Sequence, residues 1–159
     1  MKNISDKTRF ILQNAGWYEG RKIDSSSTIA LLKSAGYYIF DELTTFLSEF
    51  GGLDLRFTNS LGIDLFVSFN IKWTLENSKL YEEDIIRDDY PKAINCNMLT
   101  IIGRKNTDTC LAINEKGIIY SLYDGYILEV GKGIEGIDNL ISKSYKDLKQ
   151  IPMPDWWGE

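Results

Sequence analysis

The spacing of apolar residues changes at the Gly51-Gly52 pair, and that change constrains the fold more than any other feature. Just ahead of this pair, Leu43, Phe46, Leu47 and Phe50 follow the i, i+3, i+4, i+7 spacing of one buried helix face. From residue 53 onward, apolar and polar residues alternate instead, which is typical of strands with one buried face. A chain with the two periods in separate stretches is expected to pack helices on a sheet.

Three helices are predicted in the first third of the chain. The first begins at Ser5 or Asp6, residue types that are favoured at the N-cap, and ends at Gly16. The second begins in the Ser-rich run after Asp24 and ends at Gly36. The third is the helix with the buried face just described, and the two consecutive glycines end it sharply.

Strands are predicted in two groups with a short helix between them. The alternation covers residues 53–57 and 63–71, and a short helix is predicted around residues 77–86, in a region that Pro91 closes. The second group is an antiparallel meander of four short strands, at Leu99–Gly103, Cys110–Ile113, Ile118–Tyr123 and Tyr126–Val130. The Asp-Gly pair between the last two strands is a strong signal for a hairpin.

The C-terminal part completes an α+β fold. A last amphipathic helix is predicted from Ile134 to Leu148, and Pro152 prevents it from extending into the tail. No repeat, low-complexity tract or Gly/Ser linker divides the chain, so we predict one domain over residues 1–159, with 151–159 as a Pro/Trp tail. The predicted architecture has N-terminal helices on one face of an antiparallel meander sheet and a closing C-terminal helix.

The absence of histidine excludes many kinds of active site. None of the 159 residues is a histidine, so no imidazole can act as a general base or ligate a metal. Cys96 and Cys110 have no metal-ligand spacing and are predicted to be free thiols. Gly131, Gly133 and Gly136 match G-x-G-x-x-G, but the preceding strand belongs to a hairpin, whereas a dinucleotide site requires a parallel βαβ unit. We therefore predict no catalytic residue, no metal site and no cofactor.

Charge and hydropathy restrict the partners. The chain has 18 basic and 23 acidic residues and a net charge of −5, which argues against nucleic-acid binding.

The N-terminal residues lack the apolar segment of a secretory signal, and no apolar run approaches the roughly 18 residues that span a bilayer. We predict a cytoplasmic protein without membrane contact. It is expected to be a monomer or a weak homodimer, because no heptad seam demands a dimer.

The acidic excess is concentrated in one short segment. Five of the 23 acidic residues lie within eight positions, namely Glu82, Glu83, Asp84, Asp88 and Asp89. Such a run is either a solvated face or an interaction surface, because neighbouring carboxylates on a helix do not face each other as a catalytic pair would. Our hypothesis is that this acidic segment binds a basic partner. Tyr123, Asp124 and the adjacent Trp156 and Trp157 are the next candidates for contacts with a partner.

Three sequence elements, taken together, resemble a known family. The stretch from Ala15 to Asp24 has the form AGW-x-x-GR-x-[IV]-D, and Phe46–Gly52 is the end of a helix that runs straight into a strand. The stretch from Gly117 to Asp124 has the form G-x-[IV]-Y-x-L-[YF]-D. In this order and spacing, over about residues 10–145, the chain is similar to the third subgroup of the SUKH superfamily of immunity proteins.

The resemblance implies a single α+β domain without catalytic activity, which binds and neutralises a cognate polymorphic toxin. In many such systems the toxin is a nuclease or a deaminase. The matched glycines and Trp17 are then determinants of the fold. Two alternatives remain open: an interaction domain that acts without any toxin, and a hydrolase that uses carboxylates alone. The neighbouring gene would test the first alternative, and two carboxylates converging in a concave pocket would indicate the second.

Overall fold

Each strand of the protein pairs with the next strand along the chain, so the sheet is one antiparallel meander. The computed structural model describes residues 4–77, 85–123 and 126–156, and within these ranges the sheet has seven strands. They are β1 (Asp54–Thr58), β2 (Asp64–Ser68), β3 (Leu99–Lys105), β4 (Thr109–Asn114), β5 (Ile118–Tyr123), β6 (Tyr126–Lys132) and β7 (Lys149–Ile151). The mixed α+β class is confirmed, and the four strands predicted in the second half correspond to β3–β6.

The helices surround this sheet. They are α1 (Asp6–Asn14), α2 (Ser26–Ser34), α3 (Asp41–Phe50), α4 (Ile71–Asn77), α5 (Tyr90–Ile94) and α6 (Gly133–Ser142), with a π-helical turn at Ile85–Asp89 and a 3₁₀ turn at Tyr145–Asp147. The three helices predicted in the first third are confirmed as α1–α3. Ser5 caps α1 by accepting a hydrogen bond from the Thr8 amide at 3.2 Å. Gly16 and Gly36 follow α1 and α2 with positive φ, the conformation in which glycine commonly ends a helix.

Helix α3 supplies the centre of the core. Leu43, Phe46, Leu47 and Phe50 are all buried, which confirms the predicted helix face. The ring centroid of Phe46 lies 5.1 Å from that of Phe50 and 5.1 Å from that of Phe69, and the second contact is edge-on. Because Phe69 directly follows β2, the contact between these rings packs α3 against the sheet.

The segment after α1 docks on the C-terminal end of α3. The Arg21 guanidinium donates hydrogen bonds to the carbonyl oxygens of Glu49 and Gly51 at 2.5 and 3.0 Å. The Trp17 indole donates to the Glu49 carboxylate at 3.2 Å. Arg21 thus satisfies carbonyl groups that lack partners at a helix end. A Cβ on Gly51 would collide with the Leu47 carbonyl oxygen, so the end of α3 requires glycine. Through Trp17 and Arg21, two of the three sequence elements that carry the resemblance pack against each other.

Helices cover both faces of the central strands, whereas the sequence predicted cover on one face. β3 is buried at six consecutive positions, Leu99–Arg104, although successive residues of a strand point to opposite faces. On one face, the Thr100 hydroxyl donates to the Tyr38 carbonyl oxygen, ahead of α3, at 2.6 Å. On the other, the Arg104 guanidinium carbon lies 4.5 Å from the ring centroid of Trp73 in α4. A strand that is buried on both faces lacks the apolar–polar alternation of a half-buried strand. Periodicity alone therefore does not show that helices cover both of its faces.

The second predicted strand is shorter than its alternation suggests. β2 ends at Ser68, and Ile71 is the first residue of α4. The Asn70 side chain starts this helix by accepting a hydrogen bond from the Trp73 amide at 3.0 Å. At the other end, Ile63 precedes β2 and is 52% exposed. The cap that Asn70 provides at the start of α4 therefore determines where this strand ends.

The helix predicted around residues 77–86 falls mostly on residues 78–84, which lie outside the described part of the chain. The helices that flank this stretch are α4 before it and the π-helical turn with α5 after it. Pro91 does not close the region as predicted. It lies in the first turn of α5, where the missing N–H of proline costs no hydrogen bond.

The C-terminal helix is also shorter than predicted. α6 ends at Ser142, because Lys143 adopts an extended conformation with φ −105° and ψ 143°. Leu148 therefore lies outside the helix, where it packs against the core as a partly buried residue. The next residues pair with β6 as β7. This strand was not predicted, because three residues ahead of Pro152 are too few to show an alternation.

One seam of the sheet is narrow. β2 and β3 are in register over two residue pairs, Val67 with Lys105 and Ser68 with Arg104. By comparison, β1 and β2 pair along five residues. The chain segment 69–98 separates β2 from β3, whereas β3, β4, β5 and β6 follow one another through short turns. The β1–β2 hairpin is thus joined to the rest of the sheet by few backbone contacts.

Candidate partner-binding surface

A groove of about 480 Å³ opens on the α6 side of the sheet, between the β3–β4 turn, β5 with β6, and the segment after α6. We call it the tyrosine groove, after the residues Tyr123, Tyr126 and Tyr145 that line it. The register explains part of its wall. Ser121 of β5 lies opposite Leu128 of β6, so their side chains share one face of the sheet.

The three tyrosines are all exposed to solvent. Tyr123, Tyr126 and Tyr145 are 43%, 55% and 67% exposed. Tyr123 and Tyr126 face each other across the β5–β6 hairpin, with ring centroids 6.5 Å apart and planes inclined by 24°. Tyr145 reaches the groove from the 3₁₀ turn after α6. Exposed tyrosines that cluster around a groove are typical of surfaces that bind other proteins.

A half-buried lysine lies in the same groove. The Lys105 ammonium donates a hydrogen bond to the Leu140 carbonyl oxygen, in the last turn of α6, at 3.3 Å. A cation at a helix C-terminus is favoured by the helix dipole. Burial lowers the pKa of Lys105. Among the residues that the structure describes, no carboxylate lies within 4 Å of this ammonium group.

The β3–β4 turn holds the rim of the tyrosine groove in place. The Arg104 guanidinium donates to the Asn106 carbonyl oxygen at 3.0 Å and also to that of Thr107. Asn106 exchanges hydrogen bonds with the backbone of Phe66, at 3.0 Å through its amide and 3.1 Å through its side chain. Because Arg104 also stacks on Trp73, this turn is fixed to both β2 and α4. These contacts hold the wall that carries Lys105 in one conformation, so it is preorganised for binding.

Of the predicted acidic segment, the structure describes Asp88 and Asp89, while Glu82, Glu83 and Asp84 lie outside the described residues. Asp88 is exposed and accepts two hydrogen bonds from the Arg87 guanidinium, each at 3.1 Å. These bonds, with the positive charge of Arg87, lower the pKa of Asp88. Part of the negative charge of the segment is thus compensated by its one basic residue.

The other predicted contact residues separate into two groups. Tyr123 lies in the tyrosine groove, and Trp156 is 43% exposed near the C-terminus. Asp124 and Trp157 lie outside the described residues. Sequence reasoning missed Tyr126 and Tyr145 as partners of Tyr123. The first could have been found, because strands flanking an Asp-Gly turn place their end residues side by side. No sequence signal indicated the second.

The described thiols do not have the properties of nucleophiles. Cys96 and Cys110 are both free. Burial raises the pKa of each thiol to about 12, so both are protonated at neutral pH. Across residues 4–77, 85–123 and 126–156, no three Cys, Asp or Glu side chains are grouped so that they could hold a metal ion.

The glycine pattern at the start of α6 serves packing. Gly131 lies near the end of the antiparallel strand β6, with φ +137°. A Cβ on Gly136 would lie 2.8 Å from the Gly131 carbonyl oxygen, so glycine lets α6 approach the strand closely. Since the strand before α6 is antiparallel to its neighbours, this is not the parallel unit of a dinucleotide site.

Two further findings concern membrane-spanning helices and the similarity of the chain to known proteins. In the part of the chain that the structure describes, no helix combines the length and the apolar character needed to cross a membrane. The sequence model of the SUKH-3 immunity protein family matches residues 4–143. No curated protein and no solved structure matches the chain.

Proposed function

The chain belongs to the SUKH-3 immunity protein family, and from this we propose that it binds a cognate protein toxin and neutralises it by direct contact. The observation that carries the proposal is the family match, which extends over residues 4–143 and so includes α1–α6 and β1–β6. A protein of this kind acts by covering a surface of the toxin. It needs a stable fold and a binding face, and it does not need an active site.

The chemistry of the described side chains supports a role without catalysis. The sequence contains no histidine. The two thiols are protonated at neutral pH. The carboxylates with lowered pKa values, such as Asp138 and Glu115, accept hydrogen bonds from the protein's own groups and so serve the fold. None of these observations favours a carboxylate-based hydrolase.

The charge of the protein favours a basic partner, such as a nuclease or a deaminase that must hold nucleic acid. With a net charge of −5, the protein attracts a cationic toxin over long distances. We propose that the acidic segment Glu82, Glu83, Asp84, Asp88 and Asp89 contributes to this attraction. Because Asp88 is paired with Arg87, the contribution is to the rate of encounter more than to close contacts.

Co-expression tests the proposal directly. The toxin domain encoded next to this gene would be expressed in bacteria under an inducible promoter, with and without the present protein. We expect growth arrest with the toxin alone, rescue when the immunity protein is present, and a stable complex in size-exclusion chromatography. A neighbouring toxin that this protein neither rescues nor binds would contradict the proposal, and the absence of any toxin gene nearby would favour a toxin-independent interaction domain.

A further inference from the structure

We propose that the tyrosine groove is the surface that receives the toxin, and that the toxin places an Asp or Glu side chain against Lys105. This inference rests on the proposed function. It goes further by naming the surface and the chemical class of the group that enters it. It is also distinct from the acidic segment, whose described members Asp88 and Asp89 lie on the π-helical turn and do not line the tyrosine groove.

The state of Lys105 indicates what the groove accepts. Its ammonium group is partly withdrawn from water, yet within the described chain its hydrogen bond goes to a single neutral acceptor, the Leu140 carbonyl oxygen. An ammonium group has three donors, so two remain for an incoming group. A cation that is already partly desolvated loses little further hydration when a partner arrives, and a carboxylate compensates its charge best. Asp108 also lines the groove, but no carboxylate of the described chain lies within 4 Å of the Lys105 ammonium group, so charge complementarity at this point favours an acidic side chain.

The surroundings of Lys105 are suited to hold a protein segment. The hydroxyl groups of Tyr123, Tyr126 and Tyr145 are potential hydrogen-bond donors, and their rings offer rigid contact area with few rotatable bonds. Leu140 and Leu148 add apolar surface between them. A groove of about 480 Å³ has room for several side chains of a partner.

The groove combines parts inside and outside the stretch that the family shares. Lys105, Tyr123 and Tyr126 lie within the matched residues 4–143, whereas Tyr145 and Leu148 follow them. One wall is therefore built by residues that lie beyond the family match. Proteins that share one fold discriminate among partners through contacts that differ between them, and residues beyond the family match can supply such contacts.

Other exposed apolar residues carry less weight. Leu61 and Ile63 are 81% and 52% exposed at the β1–β2 hairpin, but neither lines the groove of about 370 Å³ on that hairpin, and the Arg56 guanidinium in that groove already lies 5.1 Å from the ring centroid of Phe66. Single exposed apolar residues are normal on protein surfaces. The tyrosine groove differs because it combines three exposed tyrosine rings with a lysine that has no carboxylate of the described chain within 4 Å.

Binding measurements with groove variants test the inference. Lys105→Met keeps most of the length of the side chain and removes its charge, while Tyr145→Ala removes an exposed ring from the wall outside the family match. We expect each to weaken binding of the purified toxin domain by about tenfold or more, mainly through faster dissociation. The matched controls are Lys116→Met, at the opposite end of β5, and Tyr18→Ala, which is 57% exposed on another surface. Both controls are expected to bind within about twofold of the wild type.

A double-mutant cycle identifies the partner group. Each Asp and Glu of the toxin surface would be changed to Ala and combined with Lys105→Met. We expect one toxin carboxylate to lose its effect when Lys105 is absent. If Lys105→Met lowers the melting temperature through the loss of its bond to α6, the cycle is repeated with Tyr145→Ala and Tyr126→Ala, whose side chains are exposed.

The possible failures are distinguishable. If the wild type binds and neutralises the toxin while every groove variant binds equally well, the groove is the wrong surface and the proposed function stands. If the groove variants weaken binding but no toxin carboxylate couples to Lys105, the assignment of the incoming group is wrong. If the wild type neither binds nor rescues, both the proposed function and this inference are overturned.

Discussion

At the scale of single residues, Asp138 joins the two ends of the family-matched chain. One of its carboxylate oxygens accepts four hydrogen bonds: two from Ser5, at 3.4 Å from its amide and 2.9 Å from its hydroxyl, one from Thr8 at 2.5 Å and one from Ser142 at 3.3 Å. The burial of this carboxyl opposes ionisation, but the hydrogen bonds outweigh it, and the pKa of Asp138 is lowered. This oxygen therefore ties the start of α1 to α6.

The lowered pKa of Asp138 predicts a pH-dependent stability. Its charged form stabilises the fold above the unfolded-state pKa, about 3.9, and this stabilisation is lost as the pH falls through the lower folded-state value. We expect Asp138→Ala to reduce the free energy of unfolding by about 1–3 kcal/mol at neutral pH, and by less in acid. Urea titrations at pH 7 and near pH 3 measure the difference. Glu76→Ala, on an exposed position of α4, is the control, and an equal loss for Asp138→Ala at both pH values would contradict the assignment.

The aromatic core gives a second prediction at this scale. Phe46 and Phe50 are 4% and 2% exposed, and Phe46 also contacts the ring of Phe69. We expect Phe46→Ala or Phe50→Ala to reduce the free energy of unfolding by about 3–5 kcal/mol, because the loss of a buried ring also leaves a cavity. Phe10→Ala, at a position 63% exposed on α1, is the matched control and is expected to change little. A loss below about 1 kcal/mol at both core positions would mean that this face of α3 is not the core.

At the scale of elements, the joint between the post-α1 segment and α3 depends on Arg21. Its guanidinium satisfies two carbonyl groups at the end of α3. We expect Arg21→Met to reduce the free energy of unfolding by about 1–3 kcal/mol, because those carbonyls lose their donors while most of the side-chain volume is kept. Thermal and urea unfolding of Arg21→Met and of Lys22→Met, its exposed neighbour, would measure this. Equal stability of the two variants would show that water replaces Arg21 without cost.

The same elements show what a sequence determines. The helix at Leu43–Phe50 and the strand Ile118–Tyr123 were predictable because each has a single clear period or a sharp turn beside it. The end of β2 was not, since Asn70 caps α4 in the middle of an alternating run. β7 was not predictable either, because it exists only through its pairing with β6.

The binding surface was less accessible to prediction than the fold. Tyr123 was a candidate from the sequence, because tyrosine is a residue type that anchors protein interfaces. Its grouping with Lys105 and Tyr145 depends on contacts between β3, β5 and the segment after α6, which are distant along the chain. No local sequence pattern predicts that residues so far apart along the chain lie in one groove. The acidic segment is the opposite case. It is conspicuous in the sequence, but the structure shows that the charge of one of its carboxylates, Asp88, is already compensated by Arg87.

At the scale of the whole molecule, the distribution of charge affects how fast a partner arrives. Reversal of three charges, in the variant Glu82→Lys, Asp84→Lys, Asp88→Lys, adds six positive units to a molecule of net charge −5. We expect association with a basic toxin to slow by about tenfold or more at low salt and to depend less on salt concentration. Stopped-flow kinetics at two ionic strengths, with circular dichroism to verify folding, measures this. Unchanged association rates at both ionic strengths would show that the acidic segment does not guide the toxin.

The narrow seam between β2 and β3 has a consequence for how the protein assembles. Closing a long loop costs more chain entropy than closing a short one, and residues 69–98 must close before β2 can pair with β3. The strands β3–β6 need only short turns, so we expect them to form the folding nucleus and the β1–β2 hairpin to join afterwards. In the native state the hairpin is then the first part of the sheet to open, and its amide hydrogens should exchange with solvent faster than those of β4 and β5. The residues that line the tyrosine groove lie outside the hairpin, but Asn106 at the rim is hydrogen-bonded to Phe66 of β2, so opening of the hairpin is expected to loosen this rim.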